Sequence, residues 1–238
     1  MNPTIDCPYP ERDVRQRDLV PPERLASCQA LVIGVGAIGR QVALQLTAVG
    51  IPLLILYDHD RVAPENLAPQ GYRPDQIGIA KVDATAADCQ RIHPEIHLVP
   101  KAERFRRSDR SEVTGGGSSL IVFCCVDSIA TRRIVWESLR HQAALFLDGR
   151  MSAEVIRVLA AELPWDDRFY PTTLFAAEEA YAGACTARST IYTASVAAGL
   201  MVSQMTKWLR RLPIDPDLTL NLLAAELTAL DRVHSIEA

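Results

Sequence analysis

Six residues constrain this chain more than any others: Gly34-Val35-Gly36-Ala37-Ile38-Gly39, a Gly-x-Gly-x-x-Gly sequence. Residues 30–35 read Ala-Leu-Val-Ile-Gly-Val, a buried strand, and residues 38–49 have the spacing of a helix that Gly50 is placed to stop. The motif carries weight only in that setting, after a strand and opening a helix. The first glycine permits the turn, the second lets a phosphate approach the backbone, and the third lets the helix sit close to the sheet. Free amides at the helix start then face phosphate charge. Residues 52–57 supply a second apolar strand ending at Asp58, 24 residues beyond Gly34. Its carboxylate is placed to accept hydrogen bonds from ribose hydroxyls. A nucleotide-binding β-α-β unit is therefore predicted; the loop alone leaves open whether the ligand is a dinucleotide or another adenine nucleotide, or whether the glycines serve only tight packing.

The remaining pattern extends this unit. Residues 81–92 and 129–141 read as helices, and 96–99, 120–126 and 144–147 as short apolar strands. This alternation predicts a mostly parallel sheet covered on both faces. Residues 59–80 are irregular, and Gly115-Gly116-Gly117-Ser118-Ser119 reads as a flexible connection. The pattern changes after residue 150. Residues 153–163 have the mixed polarity of an outward antiparallel strand, 164–190 are loop-rich, and 191–212 read as one long helix. Residues 219–233 are ambiguous, alternating at first and helical later.

Apolar types make up 48% and charged types 23% of 238 residues, which excludes disorder. A chain this long buries roughly 70% of its unfolded surface and needs no disulfide or metal staple. The net charge of −4 offers no basic surface for nucleic acid or membrane. No run reaches 18 apolar residues, the length of a membrane span. The start, Met-Asn-Pro-Thr-Ile-Asp-Cys-Pro, has neither the basic nor the apolar part of a signal peptide. The six cysteines, Cys7, Cys28, Cys89, Cys124, Cys125 and Cys185, include no Cys-x-x-Cys, so no structural zinc is expected. Reduced thiols and a cytoplasmic location are expected.

The residues beyond the glycine loop are more specific. Asp58-His59-Asp60-Arg61-Val62 leads to Asn66-Leu67-Ala68-Pro69-Gln70, then to Gly78-Ile79-Ala80-Lys81. This composite resembles the activating enzymes of the MoeB/ThiF/HesA type, relatives of the ubiquitin-activating enzyme, over residues 12–210. The resemblance implies a Rossmann-like, mostly parallel sheet flanked by helices, extended by antiparallel strands and a long C-terminal helix. It implies ATP-dependent adenylation, with Mg²⁺, of the C-terminal glycine carboxylate of a ubiquitin-like or sulfur-carrier protein, followed by transfer to a cysteine. Arg12 and Arg15 match the family's N-terminal arginines, and Gly34, Gly36 and Gly39 its glycine loop. Asp58 and Asp60 match its paired acids, Asn66 its asparagine and Lys81 the lysine near the phosphates. Asp127 matches the metal-site aspartate and Arg132 the arginine five residues beyond it. Cys185, ahead of the long helix, falls where many members carry a thioester- or persulfide-forming cysteine, and Arg188 nearby offers positive charge. An N-terminal arm (1–27) precedes one domain (28–238), with a nucleotide-binding part to residue 150 and a carrier-binding, C-terminal part from 151. The apolar stripe of residues 191–212 and the resemblance together predict a homodimer, with the arm supplying arginine to the other subunit's ATP.

Two departures stand out. Pro69 replaces an arginine that contacts phosphate in the resembled family, and proline has neither charge nor N–H; either Arg73 or an N-terminal arginine compensates, or ATP chemistry is weakened. The paired Cys-x-x-Cys motifs of many bacterial members are missing. Plainer readings exist for each residue. Lys81 could be a surface lysine, Asp127 only a helix N-cap, Arg12 and Arg15 solvated arginines on a loose arm, and Cys185 a small core residue. Cys124 and Cys125 read as inert core, and the charged run at 101–110 as a solvated face. Two other functions fit part of the pattern. A nicotinamide-dependent oxidoreductase explains the loop and Asp58 but not Asn66, Lys81 or Asp127. A non-catalytic scaffold that grips a partner accounts for Pro69.

Overall fold

The computed structural model describes residues 11–109, 117–163, 168–175 and 189–230. In chain order the elements that build the site are α1 (Pro22–Leu25), β1 (Cys28–Ile33), α2 (Ala37–Val49), β2 (Leu53–Tyr57), α3 (Leu67–Gln70), α4 (Lys81–Ile92) and β3 (His97–Lys101). They are followed by β4 (Ser119–Cys124), α5 (Ile129–Leu139), β5 (Ala143–Ser152), β6 (Val155–Glu162) and α6 (Phe169–Thr172). The long helix α7 (Ile191–Leu209) and the strands β7 (Asp217–Asn221) and β8 (Glu226–Ala229) complete the described chain.

Every residue of β1 is buried, as a run of Cys, Ala, Leu, Val and Ile demands of a central strand. One sheet of eight strands results, in the order β3-β2-β1-β4-β5-β6-β7-β8. The first five run parallel and the last three pairings are antiparallel. Because the chain passes from β3 to the far side of β1, the strand order reverses between β1 and β4. The helices change face at the same place. Leu46 of α2, Val82 of α4 and Met201 of α7 belong to one apolar core, while Val135 of α5 and Tyr170 of α6 belong to the other. Such a reversal leaves a crevice at the carboxyl ends of the strands, where open α/β sheets bind ligands.

The glycine turn fits this crossing tightly. Gly34 has φ +87°, and a β-carbon there would meet the Cys125 carbonyl oxygen at 2.8 Å. A β-carbon on Gly39 would lie 1.8 Å from the Gly34 carbonyl oxygen. The helix therefore rests directly on the turn that starts it. Gly50, at φ 93°, ends α2 as its position predicts.

Several expectations need correction. Within residues 219–233, those described (219–230) carry a β-hairpin in place of a helical end: the Asn221 side-chain oxygen accepts from the amides of Leu223 and Ala224, and Ala225 turns at φ 55°. Leu223 and Leu227 stand out from this hairpin at 81% and 61% exposure, so its leucines do not mark a buried helix face. The long helix stops at Leu209, with Arg211 at φ 60° breaking its path. Its apolar stripe is used inside the chain: Ala194, Ala197, Met201 and Met205 are fully buried, and the helix packs on α2, β5 and β6. The division at residue 150 falls within β5, which runs unbroken from Ala143 to Ser152. Nor is the arm loose over residues 11–27. Arg12 donates to the carbonyls of Thr47 and Ala48 at 2.8 and 2.9 Å, and Gln16 to that of Val49 at 2.9 Å. These carbonyls belong to the last turn of α2, where a cation also meets the negative end of the helix dipole.

Gly39→Ala drives a β-carbon into backbone that has no side chain to rotate away. It is expected to lower stability by about 1–3 kcal/mol, read as a fall of several degrees in the thermal midpoint. An unchanged midpoint would show that α2 can back away from the turn at no cost.

Candidate active site

Three loops converge at the reversal point: the glycine turn after β1, Asp58 to Asp60 after β2, and Cys125 to Ser128 after β4. Backbone bonds tie them together. Gly34 N–H donates to the Tyr57 carbonyl, and Cys125 N–H to that of Ile33, both at 2.8 Å. Asp58 takes the Val35 amide on one carboxylate oxygen at 2.7 Å and the Asp60 amide on the other at 2.8 Å. It thus braces the turn while each oxygen keeps a lone pair toward solvent. Gly36 sits where the predicted phosphate approach requires room, and no atom lies within 4 Å of a β-carbon built on it.

Lys81 is not a solvated surface lysine. It is 6% exposed, opens α4, donates its amide to the Asp60 carbonyl at 2.9 Å, and places Nζ 3.0 Å from the Asp60 carboxylate. Partial burial pushes the Asp60 carboxyl up. The hydrogen bond and charge of Lys81, with His59 and Arg104 nearby, outweigh this and hold it below the ordinary carboxylate range. Arg104, on the loop after β3, is an exposed cation at this edge that no sequence motif marks. Asp58, His59 and Asp60 offer ligand atoms within 4.8 Å of one another, but both carboxylates already hold amides or Lys81.

Asp127 is exposed, and the helix N-cap belongs to its neighbour: the Ser128 hydroxyl accepts from the Thr131 amide at 3.3 Å. Asp127 is therefore not the cap of α5. Arg132, expected at the cofactor, has another task. It is buried, and its guanidinium holds the Val126 carbonyl, the Gly149 carbonyl at 3.3 Å, and the Asp148 carboxylate. It fixes the backbone immediately before Asp127. Asp148, wholly buried, also takes Arg150 at 2.9 Å and the Tyr170 hydroxyl at 3.0 Å. Sequence reasoning missed this carboxylate; its one signal was an acid ending an otherwise apolar strand.

Asn66 turns its side-chain oxygen to the Ala63 amide at 2.9 Å, shaping the entry to α3. Pro69 lies within that helix. Arg73, one expected replacement for the missing arginine, is engaged by Asp75 at 3.1 Å and by Asp88. Asp88 gathers Arg40 at 2.9 Å, Arg91 at 2.7 Å and the Gln76 amide at 2.9 Å besides. Its partial burial favours the neutral form. The Gln76 and Arg73 hydrogen bonds and the Arg40 charge prevail and hold its carboxyl below the usual range. Between this cluster and the glycine turn lies Tyr72, 4% exposed, its ring 4.6 Å from the Arg40 guanidinium.

Arg12 lies at the opposite end of the 13-residue α2 from Gly36, about 20 Å along the helix. In this chain its guanidinium caps α2. Arg15, on the same segment, is exposed. Cys185 and Arg188 lie outside the described residues. Of the other thiols, Cys28 is buried, which pushes it up to about 11, and burial likewise raises Cys124 and Cys125. None of these is a ready nucleophile.

The model of the ThiF family matches residues 13–238. The chain belongs to the ThiF family. It is 32% identical over 123 residues to ubiquitin-like modifier-activating enzyme 5 of Bombyx mori, covering 48% of this chain and 31% of that protein. It is 28% identical over 145 residues to the protein of that name in Oryza sativa subsp. japonica, covering 56% and 34%. The chain spans about a third of the length of these curated relatives. Among solved structures, PaaA superposes with a TM-score of 0.72 at 20% identity, covering 92% of this chain and 68% of that one. E. coli MccB with MccA gives 0.69 at 16%, covering 92% and 71%. These two likenesses bear on the ThiF fold alone. Among the described residues no helix is long and apolar enough to cross a membrane.

Asp88→Asn strips the carboxylate from buried Arg40 and is expected to cost about 3 kcal/mol. The wild-type carboxyl is depressed, so its contribution is present at neutral pH and is lost as pH falls below the ordinary carboxylate value toward the lowered one. Urea midpoints from pH 6 to pH 3 should therefore fall more steeply for wild type than for the variant. Parallel curves would remove Asp88 from the acid response.

Proposed function

We propose that this chain uses ATP to adenylate the C-terminal glycine carboxylate of a ubiquitin-like or sulfur-carrier protein. The observation that carries the reading is one edge of the sheet holding an open glycine turn, a buried Lys81 and an uncapped Asp127. Kinship with ubiquitin-like modifier-activating enzyme 5 supports it. An NAD-dependent oxidoreductase has no use for the last two groups. Pro69 favours a second reading, a non-catalytic scaffold that binds the carrier alone.

Adenylation joins a carboxylate oxygen to the α-phosphorus of ATP and expels pyrophosphate. Both reactants are anions, so the site must supply positive charge where negative charge gathers. The amides that open α2 take phosphate charge, Asp58 accepts ribose hydroxyls, and Lys81, held ready by Asp60, turns to the phosphates. The exposed Asp127 carboxylate suits Mg²⁺, which binds through one or two carboxylates and phosphate oxygens and neutralises developing charge when present. No general base is required, because the carboxylate is already the nucleophile. Cys185 is our candidate for the thiol that then, losing its proton, takes the acyl group from the adenylate and releases AMP. A homodimer is part of the proposal, with Arg15 on an anchored arm offered to the second subunit. The free thiols of Cys28, Cys89, Cys124 and Cys125 support a cytoplasmic setting.

Exchange of labelled pyrophosphate into ATP should appear when the cognate carrier is added. Asp127→Ala should cut it about a hundredfold or more without moving the thermal midpoint. Gly36→Ala should fold as wild type, since the new methyl meets open space, yet bind ATP at least about tenfold more weakly, because that space is the phosphate's. Carrier binding without exchange would leave the scaffold standing.

Cys185→Ala should retain exchange, which needs no thiol, and lose any reductant-sensitive adduct with the carrier on non-reducing gels. An adduct formed equally well by the variant would assign the acceptor role elsewhere.

A further inference from the structure

The geometry points to Tyr72 as a positioning residue that aims the glycine turn's phosphate-binding amide. The inference rests on the nucleotide reading above and deepens it. Tyr72 sits in the irregular stretch between β2 and α4, where no motif assigns it a part. Its hydroxyl donates to the Val35 carbonyl at 2.7 Å and pairs with the hydroxyl of the fully buried Thr85 at 3.1 Å. The Val35 amide is held from the other side by Asp58 at 2.7 Å. Both polar groups of Val35 are therefore fixed.

The consequence comes from peptide geometry. The Val35 carbonyl and the Gly36 N–H belong to one planar trans peptide and point in opposite directions. Pinning the carbonyl to Tyr72 fixes the Gly36 N–H on the opposite side of that peptide, and the Gly36 Cα is itself uncrowded, with nothing within 4 Å of a β-carbon built there. Glycine is the residue at which such a peptide turns over most easily. Without an anchor, the carbonyl could present its oxygen, and so negative charge, to the phosphates. Tyr72 removes that alternative. Its own place is secured independently of the hydroxyl, because the ring is buried and stacked 4.6 Å from Arg40, which also donates to the neighbouring Gly71 carbonyl at 2.9 Å. Through Thr85, four residues into α4 from Lys81, the same hydroxyl keeps the lysine's helix in step with the turn.

Tyr72→Phe keeps the ring and deletes the anchor. Isothermal titration should show ATP bound about tenfold more weakly, with adenosine, which lacks phosphates, bound within twofold of wild type. Pyrophosphate exchange should show the same split: a raised KM for ATP and a kcat close to wild type. Thr85→Val, which leaves the Tyr72 hydroxyl without its second partner, should move ATP affinity in the same direction by a smaller factor; it serves as the test if Tyr72→Phe does not fold. Equal ATP affinity in variant and wild type overturns the inference. So does an equal loss for adenosine and ATP, which would make Tyr72 a packing residue. Failure of the wild-type protein itself to bind ATP would instead sink the nucleotide reading beneath it.

Discussion

The absent side chain at Gly39 is the constraint on which the rest of the molecule turns. Because a β-carbon there would sit 1.8 Å from the Gly34 oxygen, α2 can lie against its own starting turn. That closeness aims the first amides of the helix at the strand ends. It also brings Gly34 against the Cys125 backbone, so the loop after β4 shares a wall with the loop after β1. The reversal of strand order at this place opens a crevice instead of continuing the sheet. A glycine spacing of a few residues thus sets where two helical layers part and where charged side chains can meet a ligand.

Around that crevice, buried charge holds loops in place. Asp148 secures Arg132, which secures the carbonyl before Asp127. Asp88 secures Arg40, which secures the Gly71 carbonyl beside Tyr72. In each case a carboxylate inside the fold orients an arginine, and the arginine's remaining donors grip backbone. Buried pairs of this kind add little net stability against apolar packing, but losing one partner is costly. Their value here is positional: irregular loops acquire the fixed geometry that strands have from their ladders.

The elements legible in the sequence were those whose burial follows a short period. The strand at β1, the helix at α4 and the stop at Gly50 are all local statements, made by neighbouring residues. Gly34, Asp58 and Lys81 were legible as a site because they are joined by an ordered spacing. Arg12 and Arg132 show where such reasoning ends. Their residue types suit phosphate, yet the carbonyls of Thr47 and Val126 claim them, and those carbonyls come near only through tertiary packing. Asp148 and Tyr72 were invisible for the complementary reason: the groups they hold at the site, Arg132 and the Val35 carbonyl, lie 16 and 37 residues away. The hairpin at β7 and β8 misled because Leu223 and Leu227 face solvent while Leu218 is buried, and a leucine carries no mark of which side it will show.

That hairpin gives the sheet two unlike margins. At β3 the strand contains Pro100, which suits an edge because its missing N–H costs the ladder nothing on the outer side. At β8 the strand reads Glu-Leu-Thr-Ala, with no proline or lysine to discourage pairing, and its four residues are all exposed. Among the described residues the sheet is therefore polar in the sense of a growing filament, blunt at one end and receptive at the other. Any backbone that extends it, in a working assembly or in a concentrated solution, gains its hydrogen bonds at Glu226–Ala229.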